Sequence, residues 1–215
     1  MNKEIITRLT ERYPVIDELA GKITESAEAI IKCYQDGGKV LVCGNGGSCA
    51  SSDHIVGEMM KSFELKRPVE QKLKEKLEAI AGDRGKYLGS KLEKGLPAIS
   101  LNAHSALITA IANDTDASLI FAQQVTGYGN RGDILIAISC SGNSQNVIDA
   151  IITARAKELK VIGLSGATGG KMKQYCDILL NVPETGTALV QELHLPVYHA
   201  ICLVVEDHFF GIMNH

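Results

Sequence analysis

The 215-residue chain has no run approaching the ~18 consecutive apolar residues of a membrane span, which argues against a spanning helix. It has no polybasic tail and a net charge of only −3, which argues against nucleic acid or an anionic membrane as partner. The stretch MNKEIITRLTERYP at its start is too charged for a signal peptide, so a cytoplasmic protein is expected. Six cysteines, at 33, 43, 49, 140, 176 and 202, include no Cys-x-x-Cys pair and no short framework spacing, which predicts reduced, mostly buried thiols without disulfides. No G-x-S-x-G elbow is present, and serine hydrolase chemistry drops out with it.

With 45% hydrophobic and 22% charged residues, the chain is long enough for one well-buried α/β domain over 1–215 with helical additions. Its organising stretch is 39–58, KVLVCGNGGSCASSDHIVGE. Val40, Leu41 and Val42 form an apolar run without alternation, as in a strand covered on both faces of a parallel sheet. Gly44, Gly46 and Gly47 then let the backbone approach a ligand closely. Ser48 stands where the next helix starts, so free N–H groups and a hydroxyl point out together and favour an anion. A dinucleotide fingerprint would need glycine at Cys49, and a nucleotide P-loop would need a Lys–Ser/Thr pair, so a sugar phosphate fits better. A plain strand-to-helix turn is the alternative for this loop taken alone.

Ahead of this stretch lies an N-terminal helical segment, 1–38. Within it Ile16, Leu19, Ile23, Ala27, Ile30 and Tyr34 recur at three- and four-residue steps, predicting an amphipathic helix over 14–34 ended by Gly37 and Gly38. Behind it, 51–63 reads as helix. Residues 66–94 carry nine Lys/Arg against five Asp/Glu, with Leu73, Leu77 and Ile80 at helical spacing and Gly82, Gly85, Gly89 and Gly95 as breaks. This predicts a charged helical insertion, either a solvated excursion or a basic flap that draws in an anionic substrate. Strands at 96–101, 133–139, 160–166 and 177–182 alternate with helices at 105–112 and 145–156, and a long helix over 188–210 closes the pattern. Such alternation implies right-handed crossovers and a parallel five-stranded sheet with helices on both faces, the turns 44–48 and 139–144 facing one pocket at its carboxyl edge.

His54 and Glu58 leave one helix face a turn apart, a spacing that can clamp a divalent metal, set an acid beside a base, or make a solvated polar contact. Gln191 and His199, in VQELHLPVYHA, stand about 80° apart around a helix axis and ~12 Å along it, with Pro196 between them to bend the helix. In a helix otherwise apolar, such groups need partners if buried. Ser139, Ser141 and Ser144 around Gly142 and Asn143 form a second hydroxyl-rich turn suited to phosphate oxygens. Ser144 reads equally as a helix N-cap worth about 1 kcal/mol. His194 reads as a surface or core histidine, and His104, His208 and His215 belong to no constellation.

Taken in order, CGNGGS at 43–48, H-x-x-x-E at 54–58, ND at 113–114, S-x-SGNS at 139–144, GGKM at 169–172 and QE-x-H-x-x-x-x-H at 191–199 resemble the bacterial phosphoheptose isomerases of the sugar isomerase (SIS) domain superfamily. The match covers most of residues 10–207. The resemblance implies a flavodoxin-like fold, a homotetramer with sites shared between subunits, and conversion of sedoheptulose 7-phosphate to D-glycero-D-manno-heptose 7-phosphate on the way to activated heptose. It implies zinc held by His54, Glu58, Gln191 and His199, with Glu58 and His199 also forming the acid/base pair. Substrate contacts would come from Asn45, Gly46, Gly47, Glu58, Asn113, Asp114, Ser139, Cys140, Ser141, Ser144 and Gln191. Cys140 stands where the family usually has threonine, and 66–94 is absent from its better-known members. A non-catalytic, initiator-associating relative would lack the equivalents of Glu58 and His199. A sugar-phosphate-responsive regulator would need a helix-turn-helix segment that this chain does not have to spare. An isomerase of a pentose or hexose phosphate is the alternative that stays open.

Overall fold

The computed structural model describes residues 2–211, so His215 lies outside the described residues. The chain begins with α1 (Asn2–Arg12), a 3-10 turn (Pro14–Leu19) and α2 (Ala20–Gln35), then enters β1 (Val40–Gly44) and α3 (Gly47–Met60). After α4 (Gln71–Lys91) come β2 (Ala98–Ser100), α5 (Ser105–Ile111), α6 (Ile120–Tyr128), β3 (Ile134–Ile138) and α7 (Gln145–Ala156). The last elements are β4 (Lys160–Ser165), β5 (Ile178–Asn181) and α8 (Thr187–Phe210). The five strands are parallel in the order β2-β1-β3-β4-β5, with Leu41 opposite both Ile99 and Leu135. That is the flavodoxin-like order the resemblance implied.

Side chains alternate across the sheet and sort the helices onto two faces. Val40 and Val42 pack with Ile23 and Ile30 of α2, Ile55 and Met59 of α3, and Val197 and Ile201 of α8. Leu41 and Cys43 pack with Phe121 and Val125 of α6 and Val147 and Ile151 of α7 on the other. Every residue of β1 and β3 is buried, in keeping with apolar runs that do not alternate. All six cysteines are free, and Cys33, Cys43 and Cys202 are buried.

The expected boundaries shift in informative places. The stripe from Ile16 to Ile30 does face the core, but its first turn is 3-10, started by Pro14. α1 falls inside the expected N-terminal helical segment, 1–38, as a helix of its own, whereas α6 was not expected. α8 is long and apolar enough to cross a membrane by length and composition, which escaped a search for unbroken apolar runs because Glu192, His194 and His199 interrupt it. It packs against α2, α3 and the sheet as a core helix, with Val190, Val197, Ile201 and Val205 buried.

The insertion is a helical hairpin. α4 breaks at Gly82, whose φ of 53° and ψ of −126° lie outside helical space, and the chain folds back on itself. Gly85 and Gly89, expected as further breaks, lie inside the second limb and are the buried residues of α4. They are where the limbs meet: a Cβ at Gly85 would run into the Leu77 carbonyl, and one at Gly89 would lie 3.2 Å from the Lys74 Cβ. Pro68 and Glu93 close the root as an antiparallel bridge, and α4 makes no extended contact with another helix or strand. Gly85→Val should therefore part the limbs while leaving the domain's unfolding midpoint within about 3 °C of wild type. Limited proteolysis within 71–91 is expected to accelerate by roughly tenfold or more, since local opening sets cleavage there. An unchanged cleavage pattern would show that the limbs do not meet at Gly85.

Candidate active site

β1 lies between β2 and β3, so the chain leaves β1 toward one side of the sheet and β3 toward the other, and the carboxyl ends of these two strands are where open α/β sheets form a ligand crevice. The turns after them meet there, as expected. Asn45 and Asn146 clasp across it by two hydrogen bonds of 2.9 Å, and Ser48 Oγ lies 3.9 Å from Cys140 Sγ. Gly46, at φ 57°, starts α3 with no side-chain cap. Ser144 precedes α7 but does not cap it: its Oγ stands 3.1 Å from Ser139 Oγ, because the hydroxyl turns into the loop. Two helix starts without side-chain caps therefore converge, each with a positive dipole end, although at α3 the Ser48 and Cys49 amides already donate to Asn45 O and Gly46 O at 3.0 Å.

The serine turn rests on the GGKM segment. Asn143 Oδ1 accepts from the Lys171 amide at 3.0 Å and Gly142 O from the Met172 amide at 2.9 Å. Gly142 has φ 66°, and a Cβ on it would strike the Gly169 backbone, so glycine is required on both counts. Gln191 belongs to this region too, because its amide lies against Gly47, where an added Cβ would come within 2.6 Å of it.

Further along α3, His54 Nε2 is 3.1 Å from Glu58 Oε1, and Tyr198 Oη is 3.0 Å from His54 Nδ1. The His199 ring meets His54 edge-on at 4.9 Å between centroids and Phe63 at 5.3 Å. Burial pushes the His199 pKa below its usual value, the His54 imidazole adds to this, and the Glu58 carboxylate partly offsets both. Glu58 Oε2 and His199 Nε2 are buried and have no hydrogen-bond partner. Native interiors rarely leave polar atoms so, and a ligand or ion is one explanation. Among the described residues no three His, Cys, Asp or Glu side chains form a closed ligand group. By residue type the imidazoles of His54 and His199 and the carboxylate of Glu58 are groups that zinc takes, and they lie together, whereas the Gln191 amide is placed against Gly47 and no contact among the described residues joins it to the other three. A cavity of about 520 Å³ between α1 and α8 also has His199 in its wall.

Asn113 and Asp114 stand apart. They lie exposed in a π-helical turn (Ala112–Asp116), joined to each other at 2.8 Å, and no hydrogen bond or ion pair among the described residues links them to either turn. His104 caps α5 by accepting from the Leu107 amide, and His208 Nε2 lies 3.0 Å from the Gln35 amide.

A family model described as SIS domain matches residues 4–94 and 92–166. The chain belongs to the SIS domain family. Within that family, a phosphoheptose isomerase from Rhodospirillum rubrum is 40% identical over 200 residues, covering 93% of this chain and 89% of the relative. One from Laribacter hongkongensis is 36% identical over 214 residues, covering 98% and 96%. The solved phosphoheptose isomerase of Neisseria gonorrhoeae is 32% identical, with a TM-score of 0.73 over 94% of this chain and 93% of that one.

In this SIS domain, four residues that sequence reasoning missed support the site: Phe63, Arg67, Tyr198 and Glu206. Arg67 and Glu206 are each 1% exposed and form an ion pair of 2.7 Å. Burial pushes the Glu206 carboxyl up, but the amides of Glu64 and Phe63, the Arg67 side chain and the Leu65 amide together outweigh it and hold the group below its ordinary value. A folded pKa below the unfolded one means the unfolded chain binds more protons, so this stability is complete above the ordinary glutamate range and is lost as pH falls through it. Urea unfolding should therefore show wild type losing stability between about pH 5 and about pH 3 more steeply than Arg67→Met/Glu206→Met does. Equal slopes for the two proteins would remove Glu206 as a source of the acid sensitivity.

Proposed function

We propose that the protein is a phosphosugar isomerase that converts sedoheptulose 7-phosphate to D-glycero-D-manno-heptose 7-phosphate in activated-heptose biosynthesis. One observation carries the reading beyond family membership: Glu58 Oε2 and His199 Nε2 stand buried and unpartnered beside each other's helices, on a domain whose crevice presents two uncapped helix starts. The relatives named phosphoheptose isomerase at 40% and 36% identity support it.

In the reaction a proton leaves C1 of the ketose, a cis-enediol forms, and a proton is returned at C2, while the hydroxyl proton of O1 passes to O2. Glu58 carries the carbon-bound proton on Oε2, since Oε1 is engaged by His54. His199, held neutral by burial, moves the oxygen-bound proton through Nε2. The phosphate sits at the crevice, on the amides of 45–48 and the hydroxyls of Ser139, Ser141 and Ser144, with Cys140 supplying a thiol in place of a hydroxyl. His54, Glu58, Gln191 and His199 would hold zinc, which as a Lewis acid would polarise the sugar carbonyl, and Glu58 Oε2 and His199 Nε2 carry protons only while they are not its ligands. Asn113 and Asp114, exposed and away from both turns, suit a homotetramer whose sites are completed by a neighbouring subunit, working in the cytoplasm.

Purified protein is expected to isomerise the seven-carbon substrate in preference to five- and six-carbon ketose phosphates. Glu58→Gln and His199→Ala should each lower kcat by about 10²- to 10⁴-fold with the fold retained, because each removes a proton carrier without a substitute. Elemental analysis should find one zinc per chain, lost in His54→Ala. Near-wild-type turnover in either proton-carrier variant would end the assignment of the pair, and a five- or six-carbon preference would end the substrate.

A further inference from the structure

We infer that Arg67 and Glu206 are positioning residues for isomerisation, a single buried ion pair that aligns the two proton carriers without touching substrate. The inference rests on Glu58 and His199 being those carriers.

α3 ends two residues after Glu58, where Lys61 turns extended at φ −144° and ψ 178°. The last carbonyls of a helix lose their internal donors, and here the Arg67 fork replaces them: Nη1 donates to Met59 O at 2.8 Å and Nη2 to Glu58 O at 2.9 Å. Two contacts from one planar group fix the rotation of the helix end that carries Glu58. The same guanidinium donates through Nε to Glu206 Oε1 at 2.8 Å.

Glu206 then reaches the other carrier. It lies seven residues beyond His199, about 10 Å along α8 and on nearly the same face. Its carboxylate accepts the amides of Phe63 at 2.8 Å, Glu64 at 2.8 Å and Leu65 at 3.1 Å, which sets Phe63's ring against the His199 ring. One carboxylate on the His199 helix thus holds both the segment that packs on His199 and, through Arg67, the backbone of Glu58. A buried ion pair is a poor source of stability compared with apolar residues of similar volume, so what this one supplies is geometry. The phosphate-suited turns lie at the other end of α3 and do not depend on it.

The test is steady-state kinetics of the zinc-loaded oligomer on sedoheptulose 7-phosphate for Arg67→Lys and for Arg67→Met/Glu206→Met, with Glu58→Gln alongside. Lysine keeps the charge but cannot bridge two carbonyls and a carboxylate, and it decides the matter if the double variant does not fold. In the folded variants kcat is expected to fall by about 10- to 100-fold while KM stays within about threefold, the signature of misplaced proton carriers beside an intact binding site. A kcat within about twofold of wild type, with Glu58→Gln inactive, overturns the positioning role alone. A matched loss of substrate affinity also overturns it, since general loosening would produce that. An active Glu58→Gln removes the underlying assignment of the carriers and the inference with it.

Discussion

A helix apolar enough to pack in the core must also carry Gln191, His194, His199 and Glu206, and the site follows from which buried polar groups along the α3–α8 seam find a partner and which do not. Glu206 is saturated by the amides of 63–65 and by Arg67. His194 is 1% exposed with no hydrogen-bond partner for either ring nitrogen, and burial lowers its pKa, keeping it neutral and harmless to the core. Glu58 and His199 each keep one atom without a partner. An unsatisfied buried acceptor costs about 1–3 kcal/mol, so the seam holds free energy in reserve that a bound ion or substrate recovers.

The sheet order supplies the other half. With β1 inside the sheet, α3 must begin at the carboxyl edge and run back toward the amino edge, so one helix carries the anion-suited turn at its start and His54 and Glu58 further along. α8 covers the same face and brings Gln191 to the first region and His199 to the second. Binding and proton transfer are therefore distributed along two packed helices, and their relative placement depends on contacts between those helices more than on the loops.

What the sequence made legible divides along the range of the interactions. Local patterns read well: α7 has the bounds its periodicity indicated, β2 to β5 fall within their apolar runs while β1 runs two residues past its own to Gly44, and the two glycine- and serine-rich turns meet. Features decided by distant partners read poorly. Arg67 looked like one more cation in a charged stretch because Glu206 is 139 residues away. Ser144 had the position of an N-cap, but Ser139 Oγ offered its hydroxyl another partner. Gly85 and Gly89 looked like helix breakers, since single-sequence reasoning scores glycine by backbone freedom and here its use is the absence of a Cβ between two limbs. Asn113 and Asp114 came only from resemblance, and no contact among the described residues explains them.

The hairpin illustrates why charge counted along a sequence misleads. The excess of cations over 66–94 suggested a basic flap, yet Arg67 is buried against Glu206, Lys94 pairs with Glu70 at 3.0 Å and Lys86 with Glu78 at 3.4 Å. Its root sits at the far end of α3 from the anion-suited turn, and a helix of 14 residues separates the two by ~20 Å, well beyond the screening length of about 8 Å at physiological salt. Steering of a phosphate from that root would be weak. The root instead explains why the insertion is tolerated. Lys94 donates its amide to Arg67 O at 2.7 Å, and Leu96 donates to the same Met59 carbonyl that Arg67 caps, at 2.9 Å. The chain thus leaves after Arg67 and returns at Lys94 with both ends hydrogen-bonded side by side. Because closing such a loop grows only slowly more costly with its length, the 26 residues between Arg67 and Lys94 change the entropy little whether present or absent, and the clamp on Glu58 stays where it is.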